Sequence, residues 1–144
     1  MNILNLMHSA LAGCFLFLLA YCGFWDIKEQ RIPNRAVAIM MVLVLFSLFS
    51  QPFDILTLVG AGVALALAIP WRKGVIGAGD VKLLFVSALY LGMTGFCLSL
   101  ALAGIAAFIY IILARKRATD RVALGALYAP AAALIILLKE LMLN

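Results

Sequence analysis

Charged side chains are scarce in this sequence: Asp, Glu, Lys and Arg make up 12% of its 144 residues, whereas hydrophobic residues make up 67%. A soluble domain is nearer a quarter charged and about half apolar. A small domain also leaves a large share of its surface in contact with water. The composition therefore excludes an ordinary soluble protein and predicts a single domain, residues 1–144, embedded in a bilayer.

Cysteine is equally sparse and offers no metal-binding pattern. Cys14, Cys22 and Cys97 all lie in apolar runs, and none belongs to a CxxC pair. We interpret them as small apolar side chains within the helices. The sequence therefore predicts neither a metal site nor a cofactor.

The apolar runs predict an all-α, polytopic transmembrane bundle of about six spans. A spanning helix needs about 20 mainly apolar residues. Turn-forming residues at Gln51-Pro52-Phe53-Asp54 and at Gly92-Met93-Thr94-Gly95 separate neighbouring runs, and Pro130 predicts a kink in the last span. The predicted spans cover residues 3–25, 36–50, 55–71, 81–91, 96–114 and 122–142.

Positive charges alternate between the predicted connections. Those near Gln51 and Gly92 carry none, whereas the other three are basic, and by the positive-inside rule basic connections face the cytoplasm. Both termini are then expected outside, and the basic residues are expected to contact anionic lipid rather than nucleic acid. These residues are Lys28, Arg31 and Arg35, then Arg72, Lys73 and Lys82, then Arg115, Lys116, Arg117 and Arg121, with Lys139 on the opposite side.

Two of the six acidic residues lie at predicted helix ends on the cytoplasmic side. Asp26 follows the first span, and Asp80 opens the fourth after Gly77-Ala78-Gly79. Ionisable groups at the edge of the bilayer interior are costly and mark functional candidates. Two carboxyls held close do not both ionise easily, so one keeps its proton. The charged member can then activate a water while the protonated member polarises a peptide carbonyl, as in an aspartic peptidase.

Each of these features also has a simpler interpretation. Asp80 suits the N-cap of a helix, the two glycines before it suit a tight turn, and Asp26 is placed to pair with Lys28 or Arg31. Intramembrane acids near broken, glycine-rich helices also bind cations or relay protons in transporters. A small transporter and a non-catalytic membrane scaffold therefore stay open from the residues alone.

Two motifs carry a resemblance to a known family. The segment Asp26-Ile27-Lys28-Glu29-Gln30-Arg31-Ile32-Pro33-Asn34 resembles the first signature of the prepilin peptidases, an Asp followed six residues on by Ile-Pro-Asn. The segment Gly77-Ala78-Gly79-Asp80-Val81-Lys82-Leu83-Leu84 resembles the second, the GxGD motif. The resemblance implies that Asp26 and Asp80 are the catalytic pair. It also implies cleavage of the basic leader of type IV prepilins or pseudopilins at the cytoplasmic face of the bacterial inner membrane.

The other motif residues are expected to shape the site and contact the substrate. Glycines leave room for a substrate backbone to come close. Lys82 either acts on the carboxyl pair or substrate, or extends to the lipid headgroups. The apolar helix of the prepilin is expected to pack against the bundle within the bilayer, and a homo-oligomer stays open. The expected site residues beyond the acids are Ile32, Pro33, Asn34, Gly77, Gly79 and Lys82.

The sequence departs from the longer members of the family. Those carry an N-terminal cytoplasmic domain with paired cysteines that is associated with methylation of the new pilin N-terminus, whereas here the first span begins almost at Met1. The resemblance therefore implies peptidase activity without methyltransferase activity. The short form is most similar to the peptidases of tight-adherence (Flp-type) pilus systems, with archaeal preflagellin peptidases as a related possibility.

Overall fold

A computed structural model describes residues 3–50, 54–66, 77–113 and 124–143, and its elements within these ranges are all α-helices. In chain order they are α1 (Ile3–Glu29), α2 (Asn34–Ser50), α3 (Ile55–Ala66), α4 (Ala78–Leu113) and α5 (Leu124–Leu143). The all-helical class predicted from the sequence is confirmed. Outside the described residues lie the predicted turn at 51–53, the end of the third predicted span, and the basic residues Arg72, Lys73, Arg115, Lys116, Arg117 and Arg121.

Three of the helices are long and apolar enough to cross a membrane. These candidate spans are Met7–Glu29, Ala78–Leu113 and Leu124–Met142, and two shorter apolar helices cover Asn34–Leu48 and Ile55–Ala66. The count of six spans and the outward position of both termini stay predictions.

Helix α4 is divided by a glycine where the sequence predicts a break. Its 36 residues correspond to about 54 Å of helix, well beyond the apolar core of a bilayer, which is about 30 Å thick. Gly92 interrupts the helical backbone with φ 71° and ψ 177°. Residues with a side chain rarely adopt this conformation, so glycine suits the position. The first half begins at Ala78 instead of the predicted Val81, so Asp80 lies in its first turn.

The ends of α1 and α2 differ from the predicted bounds and place the first motif. Helix α1 continues one turn past Trp25, and Gln30 then ends it in the left-handed region, with φ 51°. The Gln30 amide donates to the Asp26 carbonyl at 2.9 Å, so Asp26 lies inside the last helical turn and not beyond it. Helix α2 begins at Asn34, two residues earlier than predicted.

The helices pack around α4, whose backbone comes close to α2, α3 and α5, while the backbone of α1 comes close to α2 and α5 and its side chains reach α4. The Phe15 ring stacks on Tyr90 with 4.0 Å between ring centroids. Gly23 brings α1 close to α5, because a Cβ built there would lie 2.8 Å from the Ala129 Cβ. Small residues permit such close approach between helices in a membrane. Helix α5 stays helical on both sides of Pro130, and a kink there stays a prediction.

Polar contacts between helix ends show in which direction α5 runs beside α1. His8 Nε2 lies 3.3 Å from Glu140 Oε1, and the Ser9 hydroxyl donates to Glu140 Oε2 at 3.3 Å. The beginning of α1 is therefore next to the end of α5. The two helices run antiparallel, which brings the end of α1, with Asp26, to the beginning of α5.

The outer surface of the bundle is rich in large apolar side chains. Phe17, Ile55 and Leu113 are 72%, 75% and 78% exposed, and many other large apolar residues are also accessible. A soluble monomer rarely exposes extensive apolar patches. Lipid chains solvate such a surface without penalty. The apolar surface is therefore consistent with the membrane location that the composition predicts.

We expect Gly92→Ala to lower the free energy of unfolding by roughly 1–3 kcal/mol, because alanine is strained at this φ and ψ. The measurement is thermal unfolding of the purified protein in detergent. Gly104→Ala is the matched control, since Gly104 lies in the same helix and a Cβ there meets nothing within 4 Å. Equal melting temperatures for the two variants would contradict the assigned backbone break.

Candidate active site

Asp26 lies in the last turn of α1 and is only 4% exposed. Its Oδ2 accepts a hydrogen bond from the Ala126 amide at 3.1 Å, and the Gly125 amide also interacts with this carboxyl. The first turn of a helix has amides without partners inside the helix, and its dipole favours negative charge. The Asp26 side chain therefore occupies the N-terminal end of α5.

Asp80 is the third residue of α4, and its side chain turns back to the start of that helix. Its Oδ2 accepts a hydrogen bond from the Gly77 amide at 3.2 Å. An acid at the third helical position commonly reaches back in this way to the amide that precedes the helix. Asp80 is thus not itself the N-cap, although it does close the first turn. Its other oxygen, Oδ1, is buried and has no hydrogen-bond partner within the described ranges.

The two carboxyls meet at the first turn of α5. Asp80 interacts with the charge of Asp26 and with the Gly125 amide, which also interacts with Asp26. A Cβ built on Gly125 would lie 3.0 Å from Asp26 Oδ2. The structure therefore brings together the two acids singled out in the sequence, and it adds a helix end that contacts both.

Ile32 is the packing centre beside this pair. It is 8% exposed, and a Cβ on Gly79 would lie 2.9 Å from the Ile32 Cβ. A Cβ on Gly125 would lie 3.0 Å from Ile32 Cδ1. Because Gly79 and Gly125 have no side chains, the Ile32 side chain of the same chain has room to pack against both. A substrate contact at Ile32 or Gly79 stays a prediction.

The remaining motif residues join the two motifs at the surface. Lys82 Nζ donates to Asn34 Oδ1 at 3.0 Å, and both side chains are exposed. The Pro33 carbonyl accepts hydrogen bonds from the Ala36 and Val37 amides and so begins α2. The Lys82–Asn34 bond links α4 to α2 beside the carboxyl pair.

Three hydroxyl groups form a buried polar cluster deeper in the bundle. The Tyr128 hydroxyl lies near those of Ser87 and Ser99, and all three residues are fully buried. Within the described residues, the Tyr128 and Ser87 hydroxyls have no hydrogen-bond partner. The Ser99 hydroxyl donates to the Gly95 carbonyl at 2.7 Å. Ser87 follows Asp80 by about two helical turns, so the cluster lies inward of the acids along α4. Neither this cluster nor the contribution of α5 was predicted from the sequence.

Nothing in the sequence marked the first turn of α5 as part of the site. Gly125 and Ala126 are small residues at the start of an apolar run, where small residues commonly serve helix packing. Their contact with Asp26 joins positions that are distant along the chain. Only the antiparallel packing of α1 on α5 brings them together.

The fold and the site define a class of protein: a helical membrane protein with two paired carboxyls where the end of one helix meets the beginnings of two others. The chain belongs to the type IV leader peptidase family, whose family model matches residues 13–112. That match includes both motifs and ends before α5. No curated protein and no solved structure matches the chain significantly.

We expect Gly79→Ala to lower the free energy of unfolding by roughly 1–3 kcal/mol, because the added methyl group overpacks the site against Ile32. Thermal unfolding in detergent measures the change. Gly62→Ala serves as the control, since a Cβ at Gly62 meets nothing within 4 Å. An unchanged melting temperature for Gly79→Ala would show that the contact between Gly79 and Ile32 is not as close as described.

Proposed function

We propose that the chain is an intramembrane aspartic endopeptidase with Asp26 and Asp80 as its catalytic pair. Its substrates are type IV prepilins or pseudopilins of the Flp-like class, from which it removes the basic leader at the cytoplasmic face of the inner membrane. One observation supports this most: the acids of the two motifs approach the same backbone amide, that of Gly125, in a member of the leader peptidase family.

The chemistry requires one charged and one protonated carboxyl. The charged carboxyl takes a proton from water while the water oxygen bonds to the scissile carbonyl carbon, and the protonated carboxyl gives its proton to the carbonyl oxygen. The resulting gem-diol then collapses. The first carboxyl passes its proton to the leaving nitrogen as the C–N bond breaks, and a gem-diol hydroxyl returns a proton to the second. The products are a carboxylic acid and an amine, and both catalytic residues regain their starting states.

The position of the pair suits a substrate held partly in the bilayer. Asp26 and Asp80 lie near helix ends, close to the exposed Lys28 in the last turn of α1 and the exposed Arg31 in the connection after it. Asp80 is partly exposed, so it is the more accessible of the two acids. The charge pattern supports a cytoplasmic position for this end of the bundle.

The lipid-facing surface offers places for the apolar helix of a prepilin. Gly62 on α3 and Gly104 on α4 are exposed and have open space at the Cβ position. Gly60 instead packs inside the protein, because a Cβ there would lie 3.3 Å from the Met93 Cα. A substrate helix packed at Gly62 and Gly104 would stay in the bilayer. It would unwind beside the acids, which would expose the peptide bond to be cut.

The cysteine pattern supports cleavage without methyl transfer. Cys14, Cys22 and Cys97 form no CxxC pair, and Cys22 is buried in the core near Asp26. We therefore expect the mature pilin N-terminus to leave this enzyme unmethylated.

Asp26→Asn and Asp80→Asn should each abolish removal of the leader from a co-expressed Flp-like prepilin, because an amide neither accepts the proton from water nor donates an acidic proton. A loss of roughly 10²–10⁴-fold in cleavage rate is expected, since this is what proton transfer by one positioned side chain contributes. Gel mobility of the prepilin provides the measurement.

The matched control is Asp54→Asn, which keeps an N-capping side chain where Asp54 Oδ1 accepts a hydrogen bond from the Leu56 amide. It should cleave like the wild type, with all variants at equal levels in the membrane. Normal cleavage by Asp26→Asn or Asp80→Asn would return weight to a transporter or a non-catalytic scaffold. An ion dependence of transport would then support the transporter.

The proposed orientation makes a labelling prediction. In a chain whose three native cysteines are replaced by alanine, a cysteine in place of Arg31 should react with a membrane-impermeant thiol reagent only after the cells are opened. A cysteine in place of Asp54 should react in intact spheroplasts, because the α2–α3 connection is expected outside. The opposite labelling pattern would place the acids on the outer face.

A further inference from the structure

We propose that the first turn of α5 is a positioning element that holds the Asp26 carboxylate as the base of the pair and leaves Asp80 as the proton donor. The inference rests on the proposed function and adds an order to the two acids. It also adds two residues, Gly125 and Ala126. These lie outside both sequence motifs and outside residues 13–112, which the family model matches.

The hydrogen bonds of Asp26 carry the first step. Its Oδ2 accepts the Ala126 amide at 3.1 Å, and the Gly125 amide faces the same carboxyl. Amide donors directed at a carboxylate stabilise its charged form, and the positive end of the α5 dipole adds to this effect. Because Asp26 is 4% exposed, these donors replace much of the hydration that the carboxylate loses.

Asp80 has a different environment. Its Oδ2 accepts the Gly77 amide at 3.2 Å, and the carboxyl also interacts with the Gly125 amide that it shares with Asp26. Its buried Oδ1 has no hydrogen-bond partner in the part of the chain that the structure describes. Burial of a polar atom without a partner costs far more for a charged group than for a neutral one. A protonated Asp80 therefore suits this position, with its proton free for a substrate carbonyl oxygen.

Gly125 gives Asp26 access to the amides. A Cβ at this position would lie 3.0 Å from Asp26 Oδ2 and 3.3 Å from Asp26 Cγ. It would also lie 3.0 Å from Ile32 Cδ1. Alanine would therefore push the Asp26 carboxylate away from α5, and it would separately crowd Ile32.

The order of the acids follows from these contacts. Asp26 takes the proton from water as the water oxygen bonds to the scissile carbon, and Asp80 gives its proton to the carbonyl oxygen. Gly125 and Ala126 are positioning residues, since they act on the substrate only through the acids: Ala126 through Asp26, and Gly125 through Asp26 and Asp80. Displacement of the Asp26 carboxylate from these amides should therefore slow the chemical step more than it weakens substrate binding.

The experiment compares kcat and KM of purified variants on a prepilin that the wild type cleaves. Gly125→Ala should lower kcat about 100-fold, as expected for a small displacement of a catalytic group, and leave KM within about twofold. Gly13→Ala is the control for an added methyl group, because a Cβ at Gly13 meets nothing within 4 Å. It should leave both constants unchanged.

The double variant Gly125→Ala/Ile32→Val separates the two contacts of the added methyl group. Valine lacks the Cδ1 atom, so the crowding at Ile32 is relieved and folding is favoured, while the contact with Asp26 remains. We expect kcat of the double variant to stay low at a wild-type melting temperature. Recovery of kcat to the wild-type value would show that only crowding at Ile32 matters and would overturn the proposal.

Two other results are also decisive. Wild-type kcat in Gly125→Ala would overturn the positioning role while leaving the proposed peptidase function intact. If the wild-type chain cleaves no prepilin, both the proposed peptidase function and the positioning role of α5 are wrong.

Discussion

The hydrogen bond between Asp26 and the first turn of α5 is the contact on which the rest of the site depends. It joins the end of α1 to the beginning of α5 through the Ala126 amide at 3.1 Å. The antiparallel packing of the two helices, with Gly23 close to Ala129, makes this contact possible. Asp80 then approaches the same turn from the start of α4. One helix end thereby neutralises part of the negative charge that two neighbouring acids bring to a membrane protein.

Much of the fold and both acids could be predicted from the sequence, because they depend on local patterns. The apolar runs predicted helices, and Gly92 predicted the break in α4 that its φ of 71° makes visible. The motif acids Asp26 and Asp80 were identified from their positions at helix ends, and the structure places them together. The family match confirms the resemblance that the two motifs carried, while their catalytic roles stay a proposal.

The unpredicted parts are those that depend on tertiary contact. Helix α1 was expected to end at Trp25, but Gln30 ends it in the left-handed region after a further turn. Ile32 fills the space beside Gly79 and Gly125, a packing role that the sequence did not predict, while its expected contact with substrate stays a prediction. The contribution of α5 had no signal of its own, since a glycine in an apolar helix serves helix packing equally well. Such contacts arise only when distant segments pack.

In the proposed mechanism, Asp26 and Asp80 act together on the tetrahedral gem-diol formed from a peptide bond. The most direct measurement compares two inhibitors based on a prepilin cleavage site, one with a hydroxyethylene isostere in place of the scissile bond and one with the deoxy form. We expect the hydroxyl compound to bind the wild type at least about 100-fold more tightly than the deoxy form, as a transition-state analogue should. Asp80→Asn should abolish this difference. Equal affinity of the two compounds for the wild type would contradict the paired-carboxyl mechanism.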